Sequence, residues 1–306
     1  MKKEIATLES VTAEFLRHKN DDKPGTLRNY RYALNQANDF FKPTSKIDSI
    51  SPGKADQFKK WLKSEQGLAE NTARARCGIV RSLFRFAYRH RLVRENPFSD
   101  IKCNLIRDKT KSVFVSREMA DKIFEHCPNE QWRILFALAR LGGMRHPSET
   151  MALRWSDVNW DEETIKITSI KTANHPGHES RIIPIFKELR PCLEAARDTS
   201  DPVNPFVVTI GRAKRVGKAV PPHLSKDIPK INEGTTTSCG ITHIIRSAGL
   251  EPWPKLWNNL RASRETELTE VYPIHVVVAW IGHSRTVAEK NYLQVTQEHM
   301  SRAKNG

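Results

Sequence analysis

The sequence predicts a mainly α protein of two domains: an N-terminal helical bundle, then a mixed α+β domain with a small antiparallel sheet. Three observations predict it. Within residues 1–105, apolar side chains recur at helical spacing in four runs separated by turn-rich breaks. Between 157 and 185 the period drops to two, in short β-branched stretches. From 186 onward helical spacing returns. The 306 residues leave room for two domains of ordinary size.

In the first domain, 1–105, the helical runs are Leu8–Lys19, Thr26–Phe41, Pro52–Ser64 and Asn71–Leu92. The breaks read NDDKPG, KPTSKIDSISP and EQGLAE. Ser51 suits a helix cap, and Pro52 suits the first turn, where a missing N–H costs nothing. The segment 71–94, NTARARCGIVRSLFRFAYRHRLVR, carries seven Arg and no acid. At about 100° per residue, Arg74, Arg81, Arg85 and Arg89 share one face. Ala73, Val80, Leu83, Phe84 and Ala87 share the other. The apolar face should dock on the bundle, and the arginine face should meet either a phosphate backbone or solvent.

A polar stretch, 103–112, leads into the second domain, 112–306. Helical patterns cover Ser116–Glu125, Gln131–Leu141 and Ser148–Arg154. Strand patterns cover Asp157–Trp160, Thr164–Ile170 and Arg181–Ile185. Helices follow at Phe186–Arg197, Gly240–Ala248, Asn258–Thr269, Pro273–Trp280 and Arg285–Leu293. Residues 201–238 are rich in Pro, Gly and Lys, and GRAKRVGKAVPPHLSK within them reads as a basic loop.

Composition narrows the function. Fifty Lys and Arg against 35 Asp and Glu give a net charge of +15. Such a balance suits a polyanionic partner, because each neutralised phosphate releases condensed counterions. No run of eighteen apolar residues exists to span a membrane. The opening MKKEIATLES lacks the apolar core of a signal peptide, so a cytoplasmic protein is expected. The five cysteines (77, 103, 127, 192, 239) are scattered, with no C-x-x-C pair, and read as reduced thiols.

Four stretches carry candidate chemistry. In ARLGGMRHPSETMALRWSDV, Arg145 stands between a Gly-Gly break and a helix start. There it either binds an oxyanion or pairs with Glu149. In ITSIKTANHPGHESRIIPI, Lys171 enters a hairpin turn, as a solvated lysine or as a proton donor. His175 and His178 share that turn, but no third ligand accompanies them, so no metal site is expected. In KLWNNLRASRETEL, Arg261 and Arg264 lie on one helical face, with Asn258 one turn earlier. In WIGHSRTVAEKNYLQVT, Gly282 ends a helix, His283 follows at the break, and Tyr292 lies on the next helix.

Taken together and in this order, these boxes resemble those of the tyrosine recombinases, the phage-integrase-like site-specific recombinases. GGMRHPSETMALRWSDV is similar to the family's first-arginine box and IKT…RIIPI to its lysine hairpin. NLRASRETEL is similar to its second-arginine box and IGHSRTVAEKNYLQV to its G-H…Y ending. The likeness covers nearly the whole chain. It implies a SAM-like core-binding domain followed by a DNA breaking-rejoining catalytic domain. It makes Tyr292 the nucleophile, with Arg145 and Arg261 clamping the scissile phosphate of double-stranded DNA. Lys171 would protonate the leaving 5′-oxygen, and His283 would donate to the phosphate. The resemblance further implies strand exchange by a homo-oligomer, a tetramer on synapsed DNA, with no cofactor, metal or ATP. The tail beyond Tyr292 either packs on a neighbouring protomer or ends as a frayed terminus.

Two positions depart from the family pattern. Asn258 stands where the family usually has His, three residues before the second Arg. An amide hydrogen-bonds a phosphate oxygen but neither carries charge nor shuttles a proton. Arg145 and Glu149 are one residue further apart than the family's usual R-x-x-E. The competing readings are a DNA-binding regulator that has lost cleavage and an enzyme that relaxes supercoils with the same tyrosine chemistry.

Overall fold

The computed structural model describes residues 6–169, 179–210 and 233–291. Its chain divides into two compact units, 1–107 and 108–306.

Among its described residues the first unit holds four α-helices: α1 (Leu8–His18), α2 (Pro24–Phe41), α3 (Pro52–Ser64) and α4 (Glu70–Arg89). Local chemistry sets their ends. Thr7 caps α1 by accepting from the Ser10 N–H, and Ser51 caps α3 ahead of Pro52. Phe41, Phe58, Phe84 and Phe98 meet in the core, with ring centroids 5.2–6.3 Å apart. On α4 the expected apolar face is buried, since Ala73, Val80, Leu83, Phe84 and Ala87 are each 0% exposed.

The expected arginine face of α4 divides into two groups. Arg81 is turned inward along the bundle. Its Nε donates to the Phe98 carbonyl at 3.0 Å and its other nitrogen to that of Ile101. Arg74 bonds Glu70 at 2.6 Å and the Asn104 carbonyl at 3.0 Å. Arg85 and Arg89 are exposed. Carbonyls of the loop after α4 need donors, and Arg81 supplies them, at Phe98 alongside the Ile101 N–H at 3.3 Å.

The second unit begins with α5 (Arg117–Glu125) and α6 (Glu130–Arg140). A three-stranded antiparallel sheet follows, in the order β1 (Val158–Asn159), β2 (Thr164–Thr168), β3 (Ser180–Pro184). Val158 pairs with Ile165, and Ile165 pairs with Ile183. Then come α7 (Arg190–Asp198), α8 (Glu233–Ser247), α9 (Leu256–Val271), α10 (Ile274–Ile281) and α11 (Arg285–Asn291). Ile165, Ile167 and Ile183 of the sheet share one core with Ile134, Leu135 and Leu138 of α6. α9 runs through the interior, so every residue from Asn259 to Thr266 is buried, charged ones included.

Three expected boundaries move. Ser148–Arg154 is not an α-helix but part of a run of turns. There the Glu149 and Thr150 N–H groups share the Arg145 carbonyl, and Ala152 and Leu153 share that of Glu149. Sharing of acceptors breaks the regular four-residue ladder. The expected helix at Phe186–Arg197 starts only at Arg190, with Pro191 in its first turn. The expected helix at Gly240–Ala248 begins earlier, at Glu233.

Candidate active site

Three consecutive carbonyls close α10, and each receives a guanidinium from a different part of the second unit. Arg181 Nε, from β3, donates to Trp280 O at 2.5 Å. Arg261, from α9, donates to Ile281 O at 2.5 Å. Arg145, from the turn after α6, donates to Gly282 O at 2.7 Å. The last carbonyls of a helix lack intrahelical donors and carry its partial negative charge, so cations collect there.

Glu149 joins the same three side chains from the other side. Arg145 reaches its Oε1 at 2.6 Å. Arg181 forks onto both oxygens, at 2.9 and 2.7 Å. Arg261 lies 3.7 Å from Oε2. Burial alone would push the Glu149 carboxyl up, but the Arg181, Arg261 and Arg145 charges outweigh it and hold it at about 2. Three guanidiniums less one carboxylate leave two positive charges in a largely buried cluster, with Arg145 the most exposed at 17%.

Two glycines let the cluster close. Gly143, at φ +63°, gives its carbonyl to Arg261 at 2.6 Å, and a Cβ there would meet Ile281 Cδ1 at 2.7 Å. Gly282, at φ +79°, turns the chain out of α10, and a Cβ there would meet Arg181 Cδ at 2.8 Å. A side chain at either position would add left-handed strain to a steric clash.

His283 follows at once. Its Nε2 lies 3.0 Å from Glu265 Oε2, and its Nδ1 lies 3.2 Å from the Ser284 carbonyl. His146, the neighbour of Arg145, is tied off separately. It bonds Thr150 at 2.9 Å and Thr237 at 2.8 Å and packs on Trp257, and burial pushes its imidazole down to about 4.

Of the residues expected from sequence, the structure thus brings Arg145, Arg261 and His283 to one helix end. Asn258 sits exposed in the first turn of α9. Lys171, with His175 and His178, and Tyr292 lie outside the described residues, as does most of the basic loop in 201–238. Arg264 turns elsewhere. It faces Glu267 and Glu188 at 3.5 Å and covers the Phe186 ring, in a network with Arg117 and Arg140.

Sequence reasoning missed Arg181 and Glu265. Each left a signal. Arg181 has the same strand parity as buried Ile183, and it pairs in register with buried Ile167. A charge on the inward face of a strand marks a partner in the interior. Glu265 stands one turn after Arg261 on a helix that buries its whole girth.

The first unit matches the family model of the phage integrase SAM-like domain over residues 7–105. The tyrosine recombinase XerC of Bacillus subtilis (strain 168) is 25% identical over 247 residues, 76% of this chain and 73% of that protein. The XerC of Pediococcus pentosaceus is 26% identical over 138 residues, 44% of each chain. In fold, the chain is similar to the Tn1549 transposon integrase in complex with transposon right-end DNA. The TM-score is 0.74 and the identity 17%, with 98% of each chain covered. It is also similar to a lambda integrase tetramer bound to a Holliday junction, with TM-score 0.72, 15% identity, and 95% of this chain and 78% of that one covered.

Fold and matches together are those seen in site-specific DNA recombinases. Its first unit is a phage integrase SAM-like domain, and the chain is similar in sequence to tyrosine recombinases and in fold to integrases. No helix among the described residues is long and apolar enough to cross a membrane.

Proposed function

We propose that the protein cleaves and rejoins double-stranded DNA through a 3′-phosphotyrosine at Tyr292, without metal or ATP. One observation supports this above the others: Arg145 and Arg261 are drawn onto adjacent carbonyls beside His283. A free phenol titrates near ~10 and attacks poorly until cations favour its phenolate. Two guanidiniums on the non-bridging oxygens also hold the charge that grows on phosphorus as the phenol adds. His283 donates to the same phosphate, and Lys171 protonates the leaving 5′-oxygen. The new phosphoester keeps the energy of the broken one, so rejoining needs no nucleotide.

The first unit serves as the core-binding domain, grips the duplex and brings the cluster to it, in the compartment that holds the DNA. The active form is a homo-oligomer, as is the lambda integrase tetramer bound to a Holliday junction.

The test starts with duplexes selected by the protein from a random-sequence pool, then nicked to make suicide substrates. A covalent adduct should form, persist in excess EDTA, and vanish in Tyr292→Phe. Asn258, exposed where the family usually has His, favours a second reading, a regulator that binds without cutting. Tight duplex binding with no adduct, restored by Asn258→His, would support it instead.

A further inference from the structure

Glu265 is 0% exposed, yet among the described residues only one of its oxygens is engaged. Oε2 lies 3.0 Å from His283 Nε2, while Oε1 has no hydrogen-bond partner among the described residues. A buried carboxylate with an idle oxygen is an expensive way to build a core, and such a group calls for an explanation. Its position supplies one. Arg261 stands one turn earlier on α9, so the same helix that delivers a phosphate-binding guanidinium also delivers the carboxylate that meets the histidine.

Resting on the function proposed above, we propose that Glu265 is the positioning residue for His283. It accepts the Nε2 hydrogen and fixes the plane of the ring. The other nitrogen, Nδ1, faces a carbonyl oxygen at 3.2 Å, at the limit of a useful bond. A ring with oxygen acceptors at both nitrogens matches the site best when it donates from both. In the loaded site Nδ1–H passes from the Ser284 carbonyl to a non-bridging phosphate oxygen, while Glu265 remains as counter-charge. The arrangement follows the rule that a catalytic histidine is held by a third group. It also makes good part of what Asn258 lacks, because the remaining imidazole is pre-set as a donor.

The experiment uses the full chain and three variants: Glu265→Gln, Glu265→Asp and His283→Gln. In DNA-free protein, 15N-edited histidine spectra, assigned with His283→Gln, should show His283 with hydrogen on both nitrogens. In Glu265→Gln the pattern should become that of a single tautomer. In single-turnover cleavage of the suicide substrate, Glu265→Gln should slow adduct formation by about tenfold or more, since losing one hydrogen-bond donor to a developing oxyanion costs about 10²–10³-fold. Duplex affinity should stay within about twofold. Glu265→Asp, which keeps the charge, should recover part of the rate. The denaturation midpoint of Glu265→Gln should fall, because one partner of a buried pair has been removed, so rates are compared where the variant is fully folded. An unchanged ring spectrum in Glu265→Gln overturns the proposal, as does an unchanged rate in protein whose wild type cleaves. If the wild type forms no adduct on its selected DNA, the recombinase chemistry fails, and the ring spectra still decide the role of Glu265.

Discussion

The two units use arginine in opposite ways. In the first, α4 places arginines around a helix whose apolar face makes the core, and the charges stay at the rim. Arg81 ties two loop carbonyls, while Arg85 and Arg89 remain exposed. In the second, arginines from three elements converge in the interior on one helix end and one carboxylate. On α4, Arg81 is held by loop carbonyls and Arg74 by Glu70 and one carbonyl, each with partners of its own. The buried arginines depend on Glu149 for charge and on each other for position. Density of positive charge along the sequence therefore marks the rim, and not the buried arginine cluster.

The sharpest way to break that contrast is to remove the hub. Glu149→Gln leaves three guanidiniums with carbonyls but no counter-charge, and truncating one partner of a buried ion pair costs about 3–5 kcal/mol. Six of the seven tryptophans lie in the second unit. Urea unfolding followed by Trp fluorescence should register the loss there. A variant as stable as wild type would mean the carbonyls suffice.

Arg181→Lys should come next. The ammonium keeps the charge but cannot fork onto both Glu149 oxygens while reaching Trp280 O and the Ser169 hydroxyl, which Arg181 also holds at 3.0 Å. Hydrogen bonds to charged groups are worth about 1.5–3 kcal/mol each, so a loss of about 2–3 kcal/mol is expected. Ser169 lies two residues before Lys171, so cleavage should fall further than stability alone explains. A purely structural role would lower the two in parallel.

Acid should separate the units as well. The folded value of His146 is depressed from 6.5 to about 4. Between those limits the unfolded chain binds a proton that the folded chain refuses. Stability is therefore full above 6.5 and falls as pH drops toward 4. Glu149 is depressed from 4.5 to about 2, so its contribution is present above 4.5 and is lost as pH falls through 2. The urea midpoint of the second unit should decline in two stages. His146→Asn should remove the upper stage and leave the lower one.

What the sequence disclosed follows the same division. Periodicity located α1 to α4 within a few residues, because each helix buries one apolar stripe and exposes the rest. Motif order picked out Arg145, Arg261 and His283, which the fold gathers at one helix end. It did not disclose that Glu149 binds three arginines, because Arg145 and Arg261 are 116 positions apart and meet only where α9 crosses the end of α10. Nor did it find Glu265. On a helix buried all round, no polar face exists for a charge to interrupt, so a carboxylate there looks like any surface residue. The Ser148–Arg154 pattern looked helical because its apolar spacing is helical. The shared carbonyls at Arg145 and Glu149, which bend it into turns, have no counterpart in that spacing.

The smallest effects belong to the rim, and they sharpen the comparison most. Arg81→Ala removes donors from the Phe98 and Ile101 carbonyls and should cost the first unit about 1–2 kcal/mol. Trp61, the one tryptophan of that unit, sits in its aromatic cluster and reports the change. Its DNA affinity, measured where the unit is still folded, should move little. Arg85→Ala and Arg89→Ala should behave in reverse. Stability should stay within about 0.5 kcal/mol, as for surface changes generally. If this face lies along a phosphate backbone, each should weaken binding across all sequences and reduce the salt slope by about one. Equal effects on stability from all three would erase the distinction between a tethered and an exposed arginine on α4. An unchanged slope in both exposed variants would move the DNA to another face of the bundle.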